Sequence, residues 1–156
     1  MERTLVLVKP DGVQRGLIGE VIKRFERKGL KLVGMKMMSL SEAVLREHYA
    51  HIADKPFYKG VEKFMKSVPV VAMCWEGMEA VETVRVVAGI TKARAAAPGT
   101  IRGDLAMSVA CNVIHASDSA ENAKKEVARF FKDEELFVYD KSEYMHVYIE
   151  DELKGR

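Results

Sequence analysis

Cysteine is scarce: only Cys74 and Cys111 occur, far apart and without metal-ligand spacing. A disulfide framework and a cysteine-based zinc site are therefore excluded. Cys74 follows Val70-Val71-Ala72-Met73 and reads as a small buried hydrophobe in a reduced, cytoplasmic setting. Long apolar runs are missing as well, so no stretch approaches a membrane span. The first residues, Met1-Glu2-Arg3-Thr4, lack a basic segment followed by a long apolar core, so no signal peptide is expected. No sign of charge dominates: 25 basic residues face 23 acidic ones, for a net charge of +2. That balance gives no warrant for a membrane surface or a nucleic-acid partner. Repeats and low-complexity tracts are absent. What is present is ordinary for a globular chain of 156 residues, with 48% hydrophobic and 31% charged residues. One domain over residues 1–156 is expected.

The short apolar run Thr4-Leu5-Val6-Leu7-Val8 reads as a buried strand ending in the turn Lys9-Pro10-Asp11-Gly12. Ile18, Val21, Ile22 and Phe25 recur at helical spacing, and Gly29 follows as a stop. Gly12, Gly16 and Gly19 match neither a P-loop nor the dinucleotide fingerprint. Leu30 to Met38 alternates as a half-buried second strand. A helix from Ser41 carries Leu45, His48, Tyr49 and Ile52 on one face, and Asp54-Lys55-Pro56 breaks it. His48 and His146 read as structural or solvated. Val61, Phe64, Met65 and Val68 form another helical stripe, Val68 to Trp75 a third strand, and Glu79 to Ala88 a further helix.

Residues 89–111 have little periodicity, and a loop of that length in a compact domain is usually functional or disordered. Beyond it, Asn112 to Ser119 reads as a buried strand ending at His115, a tight turn, and a helix from Asp118, with Asp118 as N-cap and Glu121 at the third position. Past residue 133, charges mix with Phe137, Tyr139, Tyr144 and Tyr148. Leu136–Tyr139 and Tyr144–Ile149 suit short strands or an extension onto a neighbouring subunit. The element order predicts an α+β sandwich of the ferredoxin-like β-α-β-β-α-β kind: a four-stranded antiparallel sheet with helices on one face, and a long loop before the last strand. A doubly wound parallel sheet is the alternative, without the glycines it normally carries.

Five segments, TLVLVKPDGV (4–13), HYAHIADKPFY (48–58), VVAMCWEG (70–77), APGTIRGD (97–104) and NVIHASDS (112–119), together resemble the nucleoside diphosphate kinases, over about residues 3–135. The resemblance implies transfer of the terminal phosphoryl group of ATP or another nucleoside triphosphate to a nucleoside diphosphate, through a phosphohistidine and with broad base specificity. By motif match His115 is the nucleophile, with Ser117 and Glu126 near its imidazole. Lys9 contacts ribose and phosphate, and Asn112 the ribose hydroxyls. Phe57 stacks on the base and Val61 helps line its slot. Tyr49, Arg85, Thr91 and Arg102 hold phosphates. Asp118 sits near the shell of a Mg²⁺ ion carried by those phosphates, a hard cation that keeps several waters. A homo-oligomer is implied, tetrameric or hexameric, and the aromatic tail favours the hexamer.

The chemistry is independently sensible. Neutral imidazole is nucleophilic near neutrality, with an unperturbed pKa of about 6.5. Arginine forks suit phosphate oxygens. Ala116 departs from the family's usual glycine, at a cost of about 1 kcal/mol or more if that backbone needs a positive φ. Lys92-Ala93 and Cys111 are further departures. They favour the alternative of a non-catalytic nucleotide-binding or interaction protein. Nucleic-acid binding through the cations of residues 92–102 is a third reading, opposed by the near-neutral charge.

Overall fold

The computed structural model describes residues 1–154. Strand β1 (Glu2–Val8) is followed by the short α1 (Pro10–Gln14), α2 (Ile18–Lys28), β2 (Lys31–Met38), α3 (Glu42–His48), α4 (Tyr58–Met65), β3 (Val70–Gly77) and α5 (Ala80–Ala88). After these come α6 (Ile101–Leu105), β4 (Ile114–Ala116) and α7 (Ala120–Phe130), then 3-10 turns and the short α8 (Glu150–Leu153). The four strands form one sheet in the order β2-β3-β1-β4, every pair antiparallel. This is the ferredoxin-like arrangement, and it excludes a doubly wound parallel sheet.

Helices cover both faces of the sheet, not one. Val6, Val8, Met73 and Trp75 point to a core shared with Val21 and Phe25 of α2 and Val84 of α5. Leu5, Leu7, Ala72 and Cys74 point the other way, onto Leu45 of α3, Met65 of α4 and Val127 and Phe130 of α7. All eight residues of β3 are buried, as a strand between two apolar layers must be. Removing that apolar surface from water is the main stabilising contribution.

Strand β2 departs from simple alternation. Its register against β3 shifts between Leu32 and Gly34, so one extra residue reverses the faces beyond it. Lys31, ahead of the shift, is buried directly opposite Glu76 at 2.6 Å, while Met35 and Met37, beyond it, are exposed. Helix α2 ends as its sequence suggests, on Gly29 at φ 102°, a left-handed cap that glycine adopts without strain.

Among the described residues the tail forms no strands. It lies on its own chain across the start of β2: the Phe137 amide donates to Val33 O at 2.8 Å and the Tyr139 hydroxyl to Leu32 O at 2.7 Å. Lys31 and Lys141 donate to the carbonyls of Tyr139 and Leu30. Residues 89–111 are partly structured, with a 3-10 turn at Ala93–Ala95 and the one-turn α6, whose N-cap Thr100 accepts from Gly103 N at 3.0 Å. Arg24 of α2 ties this segment down, donating to Gly99 O at 2.8 Å and pairing with Asp104 at 2.7 Å. Among the described residues no helix is long and apolar enough to cross a membrane.

Candidate active site

Three-residue β4 begins abruptly because Val113 has φ +73°, and the Ile114 amide donates to Asn112 O at 2.9 Å. That is a tight three-residue turn of the strained kind. Its neighbours hold it: Val113 N donates to Asp11 Oδ2 at 2.8 Å, and Val113 O accepts from Lys9 N at 2.9 Å. Gly12 permits the approach, since a Cβ there would lie 2.9 Å from Val113 O. His115 then sits opposite Leu7, at the rim of the sheet and half-buried.

The imidazole Nε2 of His115 lies 3.0 and 3.1 Å from the two carboxylate oxygens of Glu126. Ser117 Oγ donates to the same carboxylate at 2.6 Å and accepts from Leu5 N at 3.3 Å. Burial acts to raise the Glu126 pKa, but the hydrogen bond and charge of His115, the Ser117 hydroxyl and His48 outweigh it and hold it down to about 2. An ionised carboxylate only accepts hydrogen bonds, so neutral His115 carries its proton on Nε2 and leaves the Nδ1 lone pair free. Burial, then the Glu126 charge, pushes the Tyr49 phenol up to about 12, so it stays a hydrogen-bond donor.

A second group gathers at the end of β1. Lys9 Nζ donates to Asn112 Oδ1 at 2.8 Å and to Ala110 O. Asn112 Nδ2 donates to Thr91 O at 3.1 Å and Val109 O at 2.9 Å. Burial lowers the Lys9 pKa to about 8. A third group lines a cleft of about 410 Å³: Arg85, Thr91, Thr100, Arg102 and Ala116. Arg102 is anchored through Gly89 O at 2.7 Å and Ile114 O at 2.8 Å. Burial and then Arg85 lower its guanidinium to about 10, which leaves it charged at neutral pH.

Phe57, 59% exposed, stands at the start of α4, with Val61 one turn on. Among the described residues no ring or cation is stacked on it. Asp118 is exposed and is not the cap of α7. That is Ser119, whose Oγ accepts from Asn122 N at 3.2 Å. Asp118 instead accepts from Asn122 Nδ2 at 2.7 Å, which holds its carboxyl below the ordinary range. A single exposed carboxylate suits a Mg²⁺ that arrives on phosphates and keeps its waters, not an all-protein cage. Among the described residues, the one cluster with metal-ligand types is His48, His115 and Glu126.

Ala116 is paired with Val6 in extended β4 and needs no positive φ, so the alanine carries no backbone cost. Sequence reasoning missed Asp11, which pins the Val113 turn, and His48, which lies against His115 with ring centroids 4.4 Å apart. The one signal for His48 was its place on the same helical face as Leu45 and Tyr49. Cys74 is buried and Cys111 exposed, both as free thiols, and burial pushes the Cys74 thiol up to about 12.

A family model described as nucleoside diphosphate kinase matches residues 2–136. The chain is 54% identical over 153 residues to a nucleoside diphosphate kinase of Parabacteroides distasonis, covering 98% of this chain and 100% of that protein. It is 55% identical over 138 residues to nucleoside diphosphate kinase A of Homo sapiens, covering 88% and 91%. Among solved structures it is similar to a halophilic nucleoside diphosphate kinase from Halobacterium salinarum in complex with CDP. That match has a TM-score of 0.91 and 50% identity, over 94% of this chain and 98% of the other. A nucleoside diphosphate kinase family protein from Babesia bovis gives a TM-score of 0.92 at 47% identity, over 95% and 100%.

Proposed function

Because the chain belongs to the nucleoside diphosphate kinase family, and so moves phosphoryl groups between nucleotides, we propose that each transfer passes through His115 in two half-reactions. The observation that carries this reading is the pairing of His115 Nε2 with Glu126, which directs the lone pair to Nδ1. In the first half-reaction Nδ1 attacks the terminal phosphorus of a nucleoside triphosphate. The bond to the bridging oxygen breaks and the nucleoside diphosphate leaves with that electron pair. The imidazole is then cationic, and Glu126 offsets the charge from the Nε2 side. In the second half-reaction a terminal oxygen of another diphosphate attacks the same phosphorus and returns His115 to its neutral state.

Arg85, Thr91, Arg102 and the protonated Tyr49 hold phosphate oxygens, and Arg102 is rigid enough to do so without reorganising. Lys9 and Asn112 hold the ribose and the adjoining phosphate. Phe57 and Val61 offer the base an apolar slot with no hydrogen-bond code, which supports broad base specificity. Asp118 would help hold a Mg²⁺ brought in on the substrate phosphates, and that ion would supply further charge neutralisation.

The proposal extends to a single domain over residues 1–156 and a cytoplasmic setting, the latter supported by the free thiols of Cys74 and Cys111. It also extends to a homo-oligomer, hexamer before tetramer. Exposed Met35, Met37, Phe137, Val138 and Ile149 support self-association, and the solution mass tests it. The test of the mechanism is incubation with Mg²⁺ and γ-labelled ATP. Acid-labile, base-stable label, chased by any added diphosphate and absent in His115→Ala, is the expected result. Normal exchange by His115→Ala would overturn it.

A further inference from the structure

Glu126 and Arg129 stand three residues apart on α7, the spacing at which a carboxylate and a guanidinium normally meet. Each has turned elsewhere. Glu126 holds His115 and Ser117, and Arg129 Nε pairs with Glu47 of α3 at 2.8 Å. His48 touches both of them. Its Nδ1 is 3.7 Å from Glu126 Oε1 and 3.4 Å from Arg129 Nη1. Its side chain is only 1% exposed, and its ring is boxed edge-on by Tyr49 at 4.8 Å, His115 at 4.4 Å and Phe130 at 5.3 Å. A guanidinium can only donate, so Nδ1 of His48 is the acceptor and Nε2 carries the proton. Burial first, and then the neighbouring His115, keeps this ring neutral, with its pKa pushed down to about 3.

We infer that His48 is a positioning residue: a neutral spacer that keeps the Arg129 guanidinium off Glu126, so that the carboxylate stays available to His115. The inference rests on the reading of His115 as nucleophile and Glu126 as its partner. Arginine is the stronger competitor for a carboxylate, because it offers a charged, planar, two-pronged donor. A volume-filling core histidine would also be buried and ring-packed. It would have no reason to lie between two opposite charges on one helix, and removing Arg129 would not repair its loss.

The test is single-turnover phosphorylation of the full-length protein by ATP, with ADP affinity measured in parallel. Wild type is labelled first. If it takes no label at His115, the phosphohistidine reading itself fails. Given labelling, His48→Ala slows phosphorylation about tenfold or more, with ADP affinity changed less than threefold. Arg129→Met alone changes the rate less than threefold, and added to His48→Ala it restores most of the lost rate. His48→Phe, which keeps a neutral ring in place, stays near wild type. If His48→Ala does not fold, His48→Asn replaces it in the same cycle. A double variant as slow as the single one, or a His48→Ala protein at full rate, would overturn the inference.

Discussion

Lys9 Nζ lies 2.8 Å from Asn112 Oδ1, joining the end of the central strand to the residue that leads into the Val113 turn. The lysine is 8% exposed, and burial brings its pKa from an ordinary 10.5 to about 8. A lowered lysine pKa means the folded state disfavours the charge. The cost is present below pH 8 and is relieved as pH rises from 8 towards 10.5. Lys9→Met therefore stabilises the fold at pH 7 by about 1 kcal/mol, net of the lost Asn112 bond, which shows as a raised melting temperature, while phosphoryl transfer falls about a hundredfold or more. In wild type, nucleotide affinity declines on the alkaline side around pH 8. A melting temperature at or below wild type in Lys9→Met would contradict this account.

Glu126→Gln leaves a hydrogen-bond acceptor beside His115 but removes the charge that, on the proposed mechanism, would balance a phosphorylated ring. Phosphoenzyme formation is expected to slow by about 10- to 100-fold. Glu126 has its pKa depressed from an ordinary 4.5 to about 2. Its stabilising contribution is thus complete above pH 4.5 and disappears as pH falls towards 2. Urea midpoints measured across that window should fall more steeply for wild type than for Glu126→Gln, and parallel curves would count against the pairing.

Val113 combines complete burial with φ +73°. In most places glycine is the worse substitute by about 1 kcal/mol relative to alanine. Here alanine loses the valine packing and keeps the backbone strain, while glycine loses the packing and relieves a strain of about 1–3 kcal/mol. Chemical denaturation should therefore rank Val113→Gly above Val113→Ala, and the ordinary order would remove the claim of stored strain.

Ala116→Gly should give no gain in activity beyond about twofold and a stability loss of about 0.5–1 kcal/mol, the usual penalty of glycine in a strand. The alanine is already in relaxed extended geometry opposite Val6. A large rise in turnover would mean that its methyl, which lines the Arg85–Arg102 cleft, obstructs the phosphate path.

Much of this molecule can be read along the chain because the deciding interactions are local. Strand β1, the Gly29 cap and the helical stripes of α2 and α7 follow from apolar spacing and turn chemistry within a few residues. The grouping of candidate residues is equally legible, since His115, Ser117 and Asn112 lie in one short segment. What cannot be read locally is whatever a distant partner decides. Lys31 of β2 is buried because Glu76 of β3, directly opposite, is there to receive it. The cap of α7 falls on Ser119 and not Asp118, since Asp118 is held by Asn122. Helices on both faces were not implied by alternation in β1 and β3, because runs apolar on every residue carry no periodicity to interpret. His48 matters through Arg129, 81 residues away, and its own neighbours in sequence give no hint of that distance.

The sheet's two apolar layers bear on the site in a way that can be separated experimentally. His115, Glu126, His48 and Tyr49 belong to the side packed by Leu45 and Phe130, whereas Arg85, Arg102 and Ala116 come from elements packed on Phe25 and Trp75. His115 and Ala116, neighbours on the three-residue rim strand β4, bring the two groups side by side. The chemical step and the grip on the phosphate chain thus rest on different foundations. Loosening the first layer should lower turnover more than affinity, because, of the proposed phosphate contacts, Tyr49 rests on it. Loosening the second should weaken affinity more than turnover, so the enzyme can drift in one property while the other stays anchored.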